Sequence, residues 1–505
     1  MQISIRKTIS SVSAILICAT SVGFISSSAA SYIIGDATLD GAVNASDAVQ
    51  VQRFILGMET PSDIQYKLSD VNKDSTVDVS DVVCLRRYLA NNANAGYIGS
   101  LYSDGSDSEN FIASPISQLK PTMPSQGTVK VPIFSIQFPD CTFSQPMSAD
   151  QIKECTFGAE DKSSPFYPNE SMTAYFSRAS YGALNLTGDV FTYTAKESIS
   201  SYSKDKDKLV KEVLSALDSS IDFSVYDANH DGKIDASIFS VPEGASNDDW
   251  WPCSGGFGDP SYTVDGVGVG NIMVGNSIPS NRSDFNGTWT HELGHAMGLP
   301  DYYKYNSTND FEGFHGDAGY ERMDEATGDF SQFSKLMFGW LKPSQIQVYD
   351  SSKGSTTFTL KSGSESGNCV IIPNGTLDSN YLSEYFIIEY VTPSSNYDNK
   401  WISDGNKGIR IFHVDADLYT DDWGGKTFAY ENYSPLYTKG DTGKRVVRLV
   451  NDGNGFFGTG DIINSSTQGF DWYDSNGQET VNPNVSVSVG NLNNGEFSVT
   501  VSNAN

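Results

Sequence analysis

Residues 289–301 read Trp289-Thr-His-Glu-Leu-Gly-His-Ala-Met-Gly-Leu-Pro-Asp301. His291 and His295 are four apart, so a helix sets both imidazoles on one face, one turn from each other, where they can hold one zinc ion. Glu292 lies beside the first of them, placed to take a proton from an attacking water and pass it to a leaving amine. Gly298 can adopt the positive φ that ends a helix, and Pro300 keeps the helix from resuming, so the chain turns back toward the metal. That return brings Asp301 to the place of a third ligand, for which a carboxylate oxygen is acceptable. If Asp301 only anchored a loop, Glu321, Asp324 and His315 would be the remaining candidates.

The stretch His291 to Asp301, followed by Tyr302-Tyr303, resembles the M6 family of secreted metallopeptidases, the immune inhibitor A-like type. Segments that agree in order are Val131 to Asp140 as a first strand, Ser171 to Gly182 as a helix leading into Leu184, Tyr320 to Asp324, Lys335 to Trp340, Glu384 to Tyr390 and Gly408 to Asp415. The resemblance implies a zinc metalloendopeptidase and places Met323 where a Met-turn forms an apolar floor under the metal. Asp301 stands where the metzincin pattern has a third histidine.

The fold expected is multidomain α+β: a small α calcium-loop module, a metzincin-like α+β catalytic domain at 129–345, and a β-rich, sandwich-like C-terminal domain at 346–505. Leu209, Val210, Val213, Leu214 and Leu217 recur at helical spacing, and the active-site helix is expected to start near Thr290. After Pro343, short alternating stretches between Gly, Asn and Ser turns read as strands. Asp227-Ala-Asn-His-Asp-Gly-Lys-Ile-Asp235 carries the first nine positions of a calcium loop, with Asp227, Asn229, Asp231 and Asp235 as oxygen donors, yet position 12 is Ile238. It is either a cation site completed from elsewhere or a turn feeding a strand. His230 is expected to face solvent, and His413 to be structural.

Near the N-terminus, Asp36 to Leu56 overlays Asp70 to Ala90 with a period of 34 residues. Each half opens with oxygen side chains at positions 1, 3, 5, 9 and 12 of a calcium loop. These are Asp36, Thr38, Asp40, Asn44 and Asp47 in the first, and Asp70, Asn72, Asp74, Asp78 and Asp81 in the second; Ala42 and Thr76 would offer backbone carbonyls. One amphipathic helix follows each loop, and no matching helix is expected before either. This repeat resembles the type I dockerin of cellulosomal enzymes over residues 31–92, with Thr38 and Ser75 as departures. The resemblance implies two calcium ions and a cohesin partner on a scaffold or cell-surface protein. Its candidate contacts are Ala45, Ser46, Gln52 and Arg53, with Val79, Ser80, Arg86 and Arg87. Residues 93–128, rich in small and polar residues, read as a linker.

Residues 1–30 carry Arg6 and Lys7, then an apolar run and a small-residue end at Ala30, the order of a secretory signal peptide. The net charge of -29 grows more negative without those two cations, which disfavours nucleic acid as a partner. Beyond the leader, Cys84, Cys141, Cys155, Cys253 and Cys369 are too few for a disulfide framework, although Cys141 and Cys155 could form a local bridge. A catalytically inactive peptidase-like protein displayed on a scaffold is the alternative; Glu292 would be superfluous in one. No separate carboxylate pair marks a glycosidase.

Overall fold

The computed structural model describes residues 32–72, 76–90, 98–99, 101–102, 109–303, 318–325, 328–364, 366–397, 408–420, 424–430, 443–451 and 455–504. The signal-peptide stretch, Asp74, Ser75 and His315 lie outside them. Among the described residues, no helix is long and apolar enough to cross a membrane.

In the N-terminal module, helices Ala45–Ile55 and Val79–Leu89 begin where reciprocal caps form. Ser46 N donates to Asn44 and Asn44 N to Asp47; Ser80 N donates to Asp78 and Asp78 N to Asp81. These bonds satisfy amides that a helix start leaves free. The two helices close over a small core of Ile34, Ala37, Ala48, Val51, Val71, Val82, Leu85 and Ile98. Strands Tyr32–Ile33 and Leu101–Tyr102 pair antiparallel, clasping the two ends of the module together. A further helix, Asp63–Ser69, precedes the second loop, contrary to the sequence reading. Seven residues give too few turns for a periodicity to show.

The central unit is built on a sheet in which Leu184–Thr194, Gly127–Gln137, Lys233–Ser240 and Val267–Gly275 run parallel, with Cys253–Gly256 antiparallel at one edge. Alternation along Gly127–Gln137 sends Val129, Val131 and Ile133 to one face, and Phe134 and Ile136 to the other. Helix Lys206–Leu217 covers the second face with Leu209, Val210, Val213 and Leu214. On the first face lie Met172–Ala179 and the long helix Arg282–Ala296. That helix starts eight residues before Thr290. Asn286, Gly287 and Thr290 are weak helix formers, and burial on nearly every side removes the amphipathic signal.

Residues 109–126 are part of this unit rather than a linker. Ile112 N donates to Leu341 O at 2.9 Å, Trp340 Nε1 donates to Ser125 O at 2.6 Å, and Ile116 and Met123 are fully buried.

The C-terminal region has a five-stranded sheet (Val447–Leu449, Gly408–Asp415, Glu384–Val391, Cys369–Pro373, Ile346–Val348) and a four-stranded one (Ser355–Leu360, Glu496–Asn503, Val485–Asn493, Ile462–Ile463). Phe386, Ile388, Ile409 and Ile411 face the second sheet and form one core with Val487, Val499 and Val501. Ile371, Tyr385, Ile387, Phe412 and Val414 face the other way and belong to the same core as Trp289 and Met297 of the central unit. The five-stranded sheet is thus buried on both faces, and a single apolar interior runs through the expected boundary at 345. Cys141 and Cys155 are separate thiols.

Candidate functional site

The long helix ends at Met297, and Gly298, with φ +107°, turns the chain. Leu299 N donates to Gly294 O at 3.1 Å, which ties the turn back onto the helix. The turn performs two tasks. It returns Asp301 to the helix face, where one carboxylate oxygen lies 3.0 Å from His291 Nε2 and 3.2 Å from His295 Nε2. It also places Leu299 O 2.8 Å from His295 Nδ1.

His291 Nδ1 is held in the same way, 2.7 Å from Arg322 O. With each Nδ1 donating to a carbonyl, both Nε2 lone pairs point at one spot, the arrangement that metal-ligating histidines require. Ligand atoms of His291, His295 and Asp301 lie within 4.8 Å of one another, and among the described residues this is the group of His, Cys, Asp or Glu side chains so gathered. Two imidazole nitrogens and a carboxylate oxygen suit zinc with an open fourth position.

Electrostatics agree with that donor set. Burial favours a neutral Asp301, but the two imidazoles outweigh it and hold the carboxyl far below its usual range. Burial also opposes charge on His295, yet Asp301 lifts it to about 9. Glu292 is buried, which raises its pKa against the pull of His291 and His295 and of the Ser254 amide.

Two residues behind the helix were not legible in the sequence as positioning groups. Arg322 orients His291 through its carbonyl, while its fully buried guanidinium donates to Tyr175 Oη, Gly287 O and Gly328 O. Glu321 accepts from Met323 N, Ser331 N and Ser334 Oγ, so it shapes the turn and is engaged away from the metal face. Asp324 accepts from Ala318 N. Met323 is fully buried, and its sulfur fills the space that a Cβ on Gly294 would enter, 2.4 Å away. Met323 thus supports the turn of helix that carries both imidazoles. His413 is buried between Glu384 and Glu479, 2.9 Å from each, and takes no part in the centre.

In the N-terminal module, Asp36, Asp47 and Asp81 are buried, and backbone amides converge on them. Asp40 N and Gly41 N donate to Asp36, Thr38 N to Asp47, and Val71 N to Asp81. The Thr38 hydroxyl lies between Asp36 and Asp47. Asn44 Nδ2 donates to Asp40, and Asn72 Nδ2 to Ser80. Burial, with the charge of Asp70, raises the Asp81 pKa, a repulsion that a cation would relieve. Ala45, Ser46, Arg53, Val79, Ser80, Arg86 and Arg87 are exposed, and Gln52 is half-buried. Val49 and Val83, equivalent in the repeat, are exposed within the same two faces.

No curated protein matches the chain. Residues 34–90 match the dockerin type I domain. The two loops and their capped helices are thus a dockerin type I domain, a kind of module that binds calcium.

Proposed function

We propose that the chain is a secreted zinc-dependent peptidase of the M6, immune inhibitor A-like kind, held on a scaffold or cell surface by its dockerin domain. The observation that carries the peptidase reading is the convergence of His291 Nε2 and His295 Nε2 on one oxygen of Asp301, with Glu292 buried beside them. Zinc held by these three residues supplies Lewis-acid polarisation of the scissile carbonyl and makes water acidic near neutral pH. Glu292 accepts the water proton on its carboxylate and returns it to the leaving amine. Met323, Arg322 and the Gly298 turn keep the imidazoles in place.

The scaffold reading rests on the dockerin match, which implies a cohesin partner. The equivalent exposed faces around Ala45, Ser46, Gln52 and Arg53, and around Val79, Ser80, Arg86 and Arg87, are its natural contact surface.

The test is a casein digestion with metal analysis on the full chain. Wild type should hold one zinc at the helix centre and cleave. Glu292→Ala should keep the zinc and lose about 10²–10⁴-fold in rate, the range for removal of a general base. Asp301→Ala should lose zinc, since two histidines make an incomplete site. A zinc-loaded wild type that cleaves nothing would instead favour the inactive, displayed protein.

A further inference from the structure

The Asp227–Asp235 loop has no part in the proposed zinc centre, yet over positions 4 to 7 its backbone repeats that of the first dockerin loop. At position 4, Leu39 has φ +62° and His230 has φ +58°; at position 6, Gly41 has φ +88° and Gly232 has φ +85°. The amides follow suit. Position 5 donates to position 1 in both, Asp40 to Asp36 at 3.1 Å and Asp231 to Asp227 at 3.0 Å. Position 6 donates to the other oxygen of position 1, at 2.9 Å in each loop. Position 7 donates to position 5, at 3.0 Å in each.

What differs is the closing carboxylate. In the dockerin loops it stands at position 12, where Asp81 takes the amides of positions 2 and 3, Val71 N at 2.9 Å and Asn72 N at 3.3 Å. In the central unit position 12 is Ile238, buried in the core. The ninth residue, Asp235, replaces it. Asp235 Oδ2 accepts from Ala228 N, position 2, at 3.0 Å. Its other oxygen, Oδ1, is buried with no hydrogen-bond partner, on a residue with no exposed surface. A buried anionic oxygen left unmatched is costly unless a cation meets it. Asp227 is buried too, and among the described residues no Lys or Arg forms a salt bridge with Asp227, Asp231 or Asp235.

We propose that Asp227, Asn229, Asp231 and Asp235 hold a calcium ion in the central unit, with Asp235 serving as the closing ligand that position 12 supplies in the dockerin loops. Three carboxylates and an amide oxygen, with a backbone carbonyl at position 7, form the hard, oxygen-only set that calcium takes. The site fixes the start of strand Lys233–Ser240, the third strand of the central sheet. Asn229 Nδ2 also donates to Thr122 O at 3.1 Å, and the next residue, Met123, donates to Ala296 O at the end of the metal helix. The ion therefore anchors a loop one segment away from the zinc ligands.

The experiment counts calcium on the full chain by equilibrium dialysis with radioactive calcium, in buffer holding zinc. In the variant Asp36→Ala/Asp47→Ala/Asp70→Ala/Asp81→Ala, which cripples both dockerin loops, one calcium per chain should remain. Adding Asp231→Ala, an exposed substitution, should remove it, and calcium should no longer raise the melting temperature of the central unit. No calcium on the four-site variant, or one that survives Asp231→Ala, overturns the proposal. Because the readout is occupancy, the result stands whether or not the protein cleaves peptides.

Discussion

The dockerin module and the central unit place their candidate metal ligands in opposite ways. In the module, eight buried apolar residues form the core, while the buried carboxylates Asp47 and Asp81 both cap the two helices and stand at the closing position of the calcium loops. Fold and cation site are the same residues. In the central unit, His291 and His295 hang from a helix set into an interior shared with the C-terminal sheet, and their Nδ1 atoms are tied to backbone carbonyls. There the site is shaped before any metal arrives. A small domain borrows order from its ions, whereas a large one lends order to its ion.

The sharpest way to break this contrast is to damage the large interior alone. Lys335 and Asp329 form a salt bridge at 2.7 Å with almost no exposure on either side chain. Lys335→Met leaves Asp329 charged and buried, at a cost of about 3–5 kcal/mol. Calorimetry should show the main transition falling steeply while the calcium-dependent helicity of the module is untouched; parallel loss of both would refute the division.

Calcium withdrawal probes the other side. With calcium at a hundred times its dissociation constant, each site adds about 2.7 kcal/mol. Dialysis into calcium-free, zinc-containing buffer should therefore melt the module's helices, read by circular dichroism, while the central unit loses only what the Asp227 loop contributes. Asp70→Ala should impair that ordering more than Asp36→Ala, since Thr38 weakens the first loop. Helicity indifferent to calcium would remove the contrast.

A smaller effect tests preorganisation of the zinc centre. Gly294→Ala puts a methyl group 2.4 Å from Met323 Sδ, and overpacking of this kind costs roughly 1–3 kcal/mol. Weaker zinc binding with little change in the module is expected; unchanged zinc affinity and stability would mean that Met323 gives way freely.

The smallest effect is a pH dependence. Burial opposes charge on His413, but Glu384 and Glu479 outweigh it and hold the imidazole above its ordinary range. The folded state thus binds this proton more tightly than the unfolded chain. The stabilisation is complete below about pH 6.5 and fades as pH rises through the folded-state value. Melting temperatures of wild type and His413→Gln, followed across pH, should converge on the alkaline side; a constant gap would assign the effect to shape alone.

How much of this was legible depended on whether a motif was local. The His291, His295 and Asp301 group and the dockerin loops fall within a dozen residues each, so spacing alone brings them together. Arg322 is 31 residues from His291 and acts through its backbone carbonyl, which no side-chain pattern reveals. Residues 109–126 looked like a linker because they follow a stretch of small and polar residues and show no sustained periodicity, yet their apolar residues pack into the same core as distant Trp340 and Met297. Asp235 was read as a donor at position 9; spacing did not reveal that the strand beginning at Lys233 turns it inward, where it accepts from Ala228 N.

The five-stranded sheet that is buried on both faces also says which pieces of this chain can travel. A cut at residue 345 would strip one face of Ile371, Ile387 and Phe412 and expose the interior around Trp289, so a graft of the His291–Asp301 site onto another protein must carry everything from about residue 109 onward. The dockerin is the reverse case. Its ends meet at Tyr32–Ile33 and Leu101–Tyr102, so it can be lifted out like a cassette, with the Tyr88 ring on His230 as a further contact to be parted.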